Sequence, residues 1–273
     1  MERELTLMAV HAHPDDEVLG TGGVLARHAE EGIRTVLVTC TNGEQGDGPG
    51  GVKPGEPGHD EEAVRRRRLA ELRDSAAHLD IGHVELLGYR DSGMEGWEAN
   101  HAPDAFANVP VDEAARRLAG LMERYRPQVV VTYDERGGYG HPDHIQAHRI
   151  TMAAAELTGI PDKLYYTAVP REGVREMFAQ ARELGIDLGG DEELPDDFGV
   201  PADQITTTVD VGAYADRKRK ALQAHASQGD SIFLLRLPEE VQLLVFGTEH
   251  FIRHPTSRVQ PPTPETDLFA GLR

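Results

Sequence analysis

The chain has a single cysteine, Cys40, in 273 residues. One cysteine excludes an intrachain disulfide and a structural zinc site built on several thiolates. At the end of a strand-like run, Cys40 reads as a buried, inert thiol. Long apolar runs are also missing. No stretch approaches the roughly eighteen residues of a membrane-crossing helix, and the opening Met-Glu-Arg-Glu is not an apolar signal segment. A cytoplasmic protein with no membrane partner is therefore expected. Positive charge is in deficit, with 28 Lys and Arg against 47 Asp and Glu and a formal charge of -19. Such a field repels a phosphate backbone and argues against a nucleic-acid partner. There is no internal repeat and no low-complexity tail. The first strand also lacks the Gly-x-Gly-x-x-Gly turn that a dinucleotide site requires.

What is present is an ordinary globular composition, 39% hydrophobic, able to bury a core. Residues 5–10 form a continuous apolar run of the kind found in buried parallel strands. A helix over 17–31 stops at Gly32, and a second strand spans 35–39. Residues 42–58 are too rich in Gly and Pro to be regular and form a candidate rim loop. A charged helix over 60–79, a strand at 83–87 and an irregular stretch over 88–110 follow. The pattern continues with a helix at 111–125, a strand at 129–132, a helix at 143–157 and a strand at 163–169. This alternation predicts an α/β fold, a three-layer sandwich around a mostly parallel sheet. Residues 171–184 read as helix, 187–201 as an acidic Gly/Pro loop, 205–211 as strand and 214–225 as helix; the remainder is mixed. Residues 1–170 are expected to form the catalytic core. Residues 171–273 are expected as a C-terminal appendage of the same domain that closes the site.

Two strand ends carry chemistry. The run at 5–10 leads into His11-Ala-His-Pro-Asp-Asp-Glu17, and the run at 129–133 leads toward Tyr139-Gly-His-Pro-Asp-His144. Ligands in open α/β sheets collect beyond the carboxyl ends of the strands. Two clusters at matched positions suggest one divalent metal with a hydrolytic water. Catalytic zinc takes three His, Asp or Glu ligands and leaves a position for water. His11 and His13 point to one side of an extended segment, and Pro14 then turns the chain. Asp15 and Asp16 must face different ways, so one can bind metal while its neighbour takes a proton from the water. In the second cluster, Asp143 is near enough to accept from an imidazole and fix its tautomer. His148 lies four residues after His144, a rival zinc-binding spacing, but the glutamate of a His-Glu-x-x-His motif is absent. Of the run Arg65-Arg-Arg-Arg68, at most one or two members can face a cleft; the rest suit pairing with Asp60, Glu61, Glu62 and Glu71.

These motifs, with Gly22-Gly23 downstream of the first and Thr132-Tyr-Asp-Glu-Arg-Gly-Gly leading into the second, resemble the LmbE-like (PIG-L) zinc-dependent N-deacetylases. Within that family the chain looks closest to the mycothiol-pathway deacetylases and conjugate amidases. The resemblance runs from residue 5 to about residue 169, with a looser echo at Lys220-Ala-Leu-Gln-Ala-His-Ala-Ser-Gln228. It implies a Rossmann-like fold and removal of acyl groups from small aminosugar substrates. It further implies His13, Asp16 and His144 as ligands to one zinc ion, which iron or cobalt could replace because the donor set is not strongly selective. Asp15 would be the general base. His141, oriented by Asp143, would stabilise the tetrahedral intermediate and protonate the amine, and Tyr139 would swing toward the oxyanion. Arg68 and Asp91 would hold sugar hydroxyls. Three products remain open: acetate from an N-acetylglucosamine compound, a larger acyl group from an S-conjugate, or deacetylation of an antibiotic aminosugar. None of the expected ligands or proton carriers is missing, which argues against a binding module that has kept the fold and lost its chemistry. A homo-oligomer is left open.

Overall fold

The structure is a computed structural model and describes residues 4–183, 185–186, 198–229 and 232–273. In chain order the elements are β1 (Thr6–His11), α1 (Asp16–Glu30), β2 (Arg34–Thr41), α2 (Glu61–His78), β3 (His83–Tyr89), α3 (Val111–Tyr125) and β4 (Val129–Thr132). A single turn α4 (Gly137–Gly140) precedes α5 (Pro142–Thr158), β5 (Lys163–Ala168), α6 (Arg171–Glu183), β6 (Thr207–Asp210), α7 (Ala215–Ala224), α8 (Glu239–Phe246) and β7 (Thr248–Arg253). Most of the acidic loop expected at 187–201 lies outside the described residues, as does the end of the helix expected at 171–184.

Seven strands form one sheet in the order β3-β2-β1-β4-β5-β7-β6. The first five are parallel, and β7 runs antiparallel to both β5 and β6. Period-2 alternation divides the core between the two faces of the sheet. Met8, Val10, Val36, Val38 and Val130 pack with Leu118 and Met122 of α3 and Ile150 of α5. Leu7, Ala9, Leu37, Val129 and Val131 pack on the other face with Val24 and Leu25 of α1 and Leu69 and Leu72 of α2. The result is the three-layer α/β sandwich that the alternating pattern implies. Cys40 lies in the first of these cores, free and buried, and burial raises its thiol pKa far above the ordinary value. Among the described residues no helix is long and apolar enough to cross a membrane.

The C-terminal residues do more than cover the sheet: they supply its last two strands. β7 escapes a reading by pattern because its buried positions are Glu249 and Phe251, and a buried acid breaks the apolar alternation. Glu249 is accommodated by partners. Its carboxylate accepts the N–H groups of Gly23 and Val24 in α1 at 2.7 and 2.8 Å, and the ammonium of Lys218 at 2.6 Å.

β1 sits at the point where the strand order reverses. β2 and β3 extend to one side of it, and β4 and β5 to the other. The segments leaving the carboxyl ends of β1 and β4 therefore open a crevice between them, and both histidine clusters lie in these segments.

Candidate metal centre

After β1 the chain turns sharply at Pro14, and Asp15 adopts φ 113° as the residue preceding α1. This left-handed conformation suits glycine, and for another residue it stores about 1–3 kcal/mol that the surroundings must offset. Arg68 of α2 supplies part of that support, donating from Nη2 to the Pro14 carbonyl at 2.6 Å and to Asp15 Oδ2 at 3.1 Å. Its Nη1 donates to the Gly43 carbonyl at 2.9 Å. Gly43 has φ +74°, and a Cβ there would lie 2.6 Å from that same nitrogen, so only glycine admits the contact. Arg68 is 5% exposed. Arg65 and Arg66 pair with Glu62, and Arg67 with Glu71, so a single member of the run turns inward.

The turn sends the two adjacent acids in different directions. Asp15 faces Arg68, while Asp16 reaches both histidines expected to share its metal. Asp16 Oδ2 lies 3.2 Å from His13 Nδ1, and Oδ1 lies 3.4 Å from His144 Nε2. The His13 imidazole is also surrounded by Asp143, 3.1 Å from Nε2, and Asp91, at 3.6 Å. Burial opposes a proton on His13, but the charge of Asp91 and hydrogen bonds to Asp143 and Asp16 overcome it and raise its pKa well above the ordinary value. Burial likewise opposes charge on Asp16, yet His144 and His13 hold its carboxyl well below the usual range. Two groups of donor atoms lie within 4.8 Å of one another: His13 with His141 and His144, and His13 with Asp91 and Asp143. His13 belongs to both, and Asp16 joins the site through its pairwise contacts.

Whether these residues fit a cation is decided at His144. Its Nδ1 faces the Gly137 carbonyl at 3.2 Å. With that nitrogen as donor, Nε2 carries a lone pair. Nε2 is buried, has no hydrogen-bond partner, and points at a carboxylate. In the neutral ring a lone pair facing an acid is repulsive, so the gap between them calls for a cation, either a proton or a metal ion. The donor set, two imidazoles and a carboxylate with further acids nearby, is that of a site able to coordinate a zinc-like divalent ion.

Tyr133, at the end of β4, braces this set although the sequence singled it out only as the end of an apolar run. Its hydroxyl donates to Asp16 Oδ2 at 2.7 Å and accepts the Ala12 N–H at 2.9 Å. Its ring stacks on His144, with centroids 4.1 Å apart. His11 lies behind it, with Nδ1 3.3 Å from the Tyr133 hydroxyl and Nε2 2.8 Å from that of Thr21. This leaves His11 as a support for Tyr133. His148 faces the Tyr133 carbonyl through Nδ1 at 3.0 Å and belongs to neither donor cluster.

Asp143 departs from expectation. Its carboxylate goes to His13 and to the backbone N–H and hydroxyl of Ser92. Only its backbone N–H reaches His141, donating to Nδ1 at 3.1 Å. The reason is local: at the opening of α5 the His141 ring caps the helix, while the Asp143 side chain turns inward. Burial, and then the charges of His13 and His144, lower the pKa of His141 to about 2. The resting ring is therefore neutral. Tyr139 stands at the rim, 55% exposed, with its ring 6.1 Å from His141 and 5.0 Å from His144. Asp91 is 3% exposed and accepts the N–H of Gly93 at 2.8 Å. Burial opposes its charge, but His13 and Arg68 hold its carboxyl well below the usual range.

Comparison with known proteins agrees with this geometry. Residues 8–155 match the PIG-L family, described as GlcNAc-PI de-N-acetylase. The chain is 41% identical to a 1D-myo-inositol 2-acetamido-2-deoxy-alpha-D-glucopyranoside deacetylase of Thermobifida fusca, over 97% of this chain and 98% of the relative. A protein of the same description from Acidothermus cellulolyticus is 41% identical over 98% of this chain and 95% of its own. Among solved structures, an N,N'-diacetylchitobiose deacetylase from Pyrococcus horikoshii aligns with a TM-score of 0.57 at 17% identity, covering 92% of this chain and 84% of its own. At that identity the likeness concerns the fold alone.

Proposed function

The chain belongs to the PIG-L family of de-N-acetylases, and on that premise we propose that it hydrolyses the N-acetyl amide of an N-acetylglucosaminyl-inositol to acetate and a free amine. The observation that carries the substrate is the 41% identity to two deacetylases of that compound over nearly the full length of both chains.

His13, Asp16 and His144 would hold the metal, and a bound zinc-like ion would supply Lewis acidity, lowering the pKa of water and polarising the amide carbonyl. Asp15 is the base. Arg68, 3.1 Å from its Oδ2, keeps the carboxylate aimed, and Asp15 takes a proton from water as the new C–O bond forms. Charge then gathers on the former carbonyl oxygen, and His141 and Tyr139 meet it from the other side of the crevice. With Nδ1 of His141 accepting the Asp143 N–H, the proton of the neutral ring sits on Nε2 and is available for donation. Tyr139 is a neutral donor, since a phenol keeps its proton well above neutral pH. Donors fixed before charge develops are the largest contributors to acyl-transfer catalysis. Breaking the C–N bond requires a proton on the nitrogen. Asp15 has just acquired one and can return it, which leaves His141 as an oxyanion donor. Asp91, backed by Arg68, would face the sugar hydroxyls, and a buried acceptor there discriminates against a sugar lacking its partner.

One feature favours a second reading. A cavity of about 560 Å³ adjoins Tyr139, lined also by Tyr166, Thr167, Val169, Arg171 and Phe198. A larger acyl group, as in conjugate amidases, would find room there were it to extend past Tyr139. The test is a panel for the zinc-loaded enzyme: N-acetylglucosaminyl-inositol, free N-acetylglucosamine, an N-acetylated antibiotic sugar and a mycothiol S-conjugate. The inositol-linked acetamide should be cleaved best. Equal or better cleavage of the S-conjugate would replace deacetylase with amidase, and no amide cleavage with zinc bound would reject the reaction class.

A further inference from the structure

Glu17 is the acid of the first cluster that neither the metal site nor the proton transfer employs. It is wholly buried, and both of its oxygens are engaged. Oε2 accepts the backbone N–H of Asp15 at 2.9 Å. Oε1 accepts from His225 Nε2 at 2.8 Å and from the Ser75 hydroxyl. Ser75 lies on α2, and His225 terminates α7. Both are wholly buried. Three segments distant in sequence thus converge on one carboxylate in the protein interior, where an unpaired acid would be strongly disfavoured.

The group this carboxylate holds is the peptide unit entering Asp15. Glu17 takes the N–H end of that unit, and Arg68 takes its other end, the Pro14 carbonyl, at 2.6 Å. With both ends gripped the peptide plane cannot rotate, and Asp15 is kept at φ 113°. Relaxation to a negative φ would re-aim the carboxylate of Asp15 relative to that of Asp16.

We propose that Glu17, held by His225 and Ser75, is a positioning residue: it clamps the Pro14–Asp15 peptide so that Asp15 addresses the attacking water while Asp16 stays with the metal. The inference rests on Asp15 being the base of the hydrolysis proposed above. It gives the C-terminal part of the chain a role in catalysis through a contact with the turn after β1. A carboxylate that merely tied α1 to α7 would affect stability and leave turnover alone.

The experiment compares the zinc-loaded wild type with His225→Ala, His225→Gln and Ser75→Ala, measuring zinc content, kcat, KM, melting temperature and a crystal structure of each variant. His225→Ala should lower kcat by roughly 10–100-fold, the usual effect of removing a supporting contact, with KM and zinc content unchanged. His225→Gln retains an N–H that can reach Glu17 and should recover most of that loss. Ser75→Ala, a small change that serves even where His225→Ala fails to fold, should lower kcat in the same direction by less. In the impaired variants Asp15 should leave positive φ. Full kcat in Ser75→Ala and His225→Ala, or an unchanged Asp15 conformation in both, would overturn the proposal whatever happens to the melting temperature. Should the wild type cleave no amide at all, the functional reading fails, and the conformation of Asp15 in the variants still judges the clamp.

Discussion

The two sides of the crevice are built on opposite plans. On the β1 side, His13, Asp15 and Asp16 are buried or nearly so, closely hydrogen-bonded and held in a turn that only strong contacts can maintain. On the β4 side, Tyr139 is more than half exposed, His141 is held neutral, and His144 keeps one buried nitrogen with no hydrogen bond, facing Asp16 at 3.4 Å. The first plan suits groups that must be correctly placed before substrate arrives: metal ligands and a base. The second suits groups that meet charge only as it develops. The open nitrogen of His144 is where the two sides join, since the metal is expected to span them.

That division can be tested in descending order of effect. Asp16→Ala or His144→Ala should abolish both bound zinc and activity, since each removes one of three ligands; metal analysis of the purified variants checks it, and full zinc occupancy in either would refute the ligand set. Asp15→Asn preserves shape and removes the base, so turnover should fall by about 10²-fold or more with zinc retained. Tyr133→Phe lies on the seam, bonded to Asp16 and stacked on His144. Zinc affinity should drop about 10–100-fold in a chelator competition, while losing the bond to Asp16 and leaving the buried Ala12 N–H unpaired costs about 1–3 kcal/mol of stability. Asp91→Ala should lower kcat/KM for the inositol-linked substrate without loss of zinc, and a loss of zinc instead would move Asp91 into the metal site. Arg66→Ala, on the solvent side of the same helix as Arg68, should change neither zinc binding nor rate, because an exposed pair with Glu62 contributes little.

Much of the fold is readable in advance because apolar residues sort by period. Met8 and Val10 face one layer and Leu7 and Ala9 the other, and helix limits such as Val111–Tyr125 follow from the flanking prolines. The edge strand β6 is readable at 205–211, but its neighbour β7 is not, since it turns Glu249 inward and a buried acid mimics a loop residue. Within the site, residue types and strand-end position bring His13, Asp15, Asp16, His141, Asp143 and His144 together. Their division of labour depends on contacts between distant residues. Asp143 meets His13, 130 residues away, and His225 meets Glu17 across 208 residues. No local pattern encodes either pairing. His11 and His13 are equivalent by strand period, and only the placement of Tyr133 and Thr21 tells them apart.

The most direct test of the account compares the two neighbouring acids. Zinc content and acetate release from N-acetylglucosaminyl-inositol would be measured on the same preparations of Asp15→Asn and Asp16→Asn. The account predicts that Asp15→Asn retains zinc and loses turnover, whereas Asp16→Asn binds zinc far more weakly and recovers activity only as the metal is raised. If Asp15→Asn loses its zinc, or Asp16→Asn holds it as tightly as the wild type, the assignment of ligand and base across the Pro14 turn is wrong.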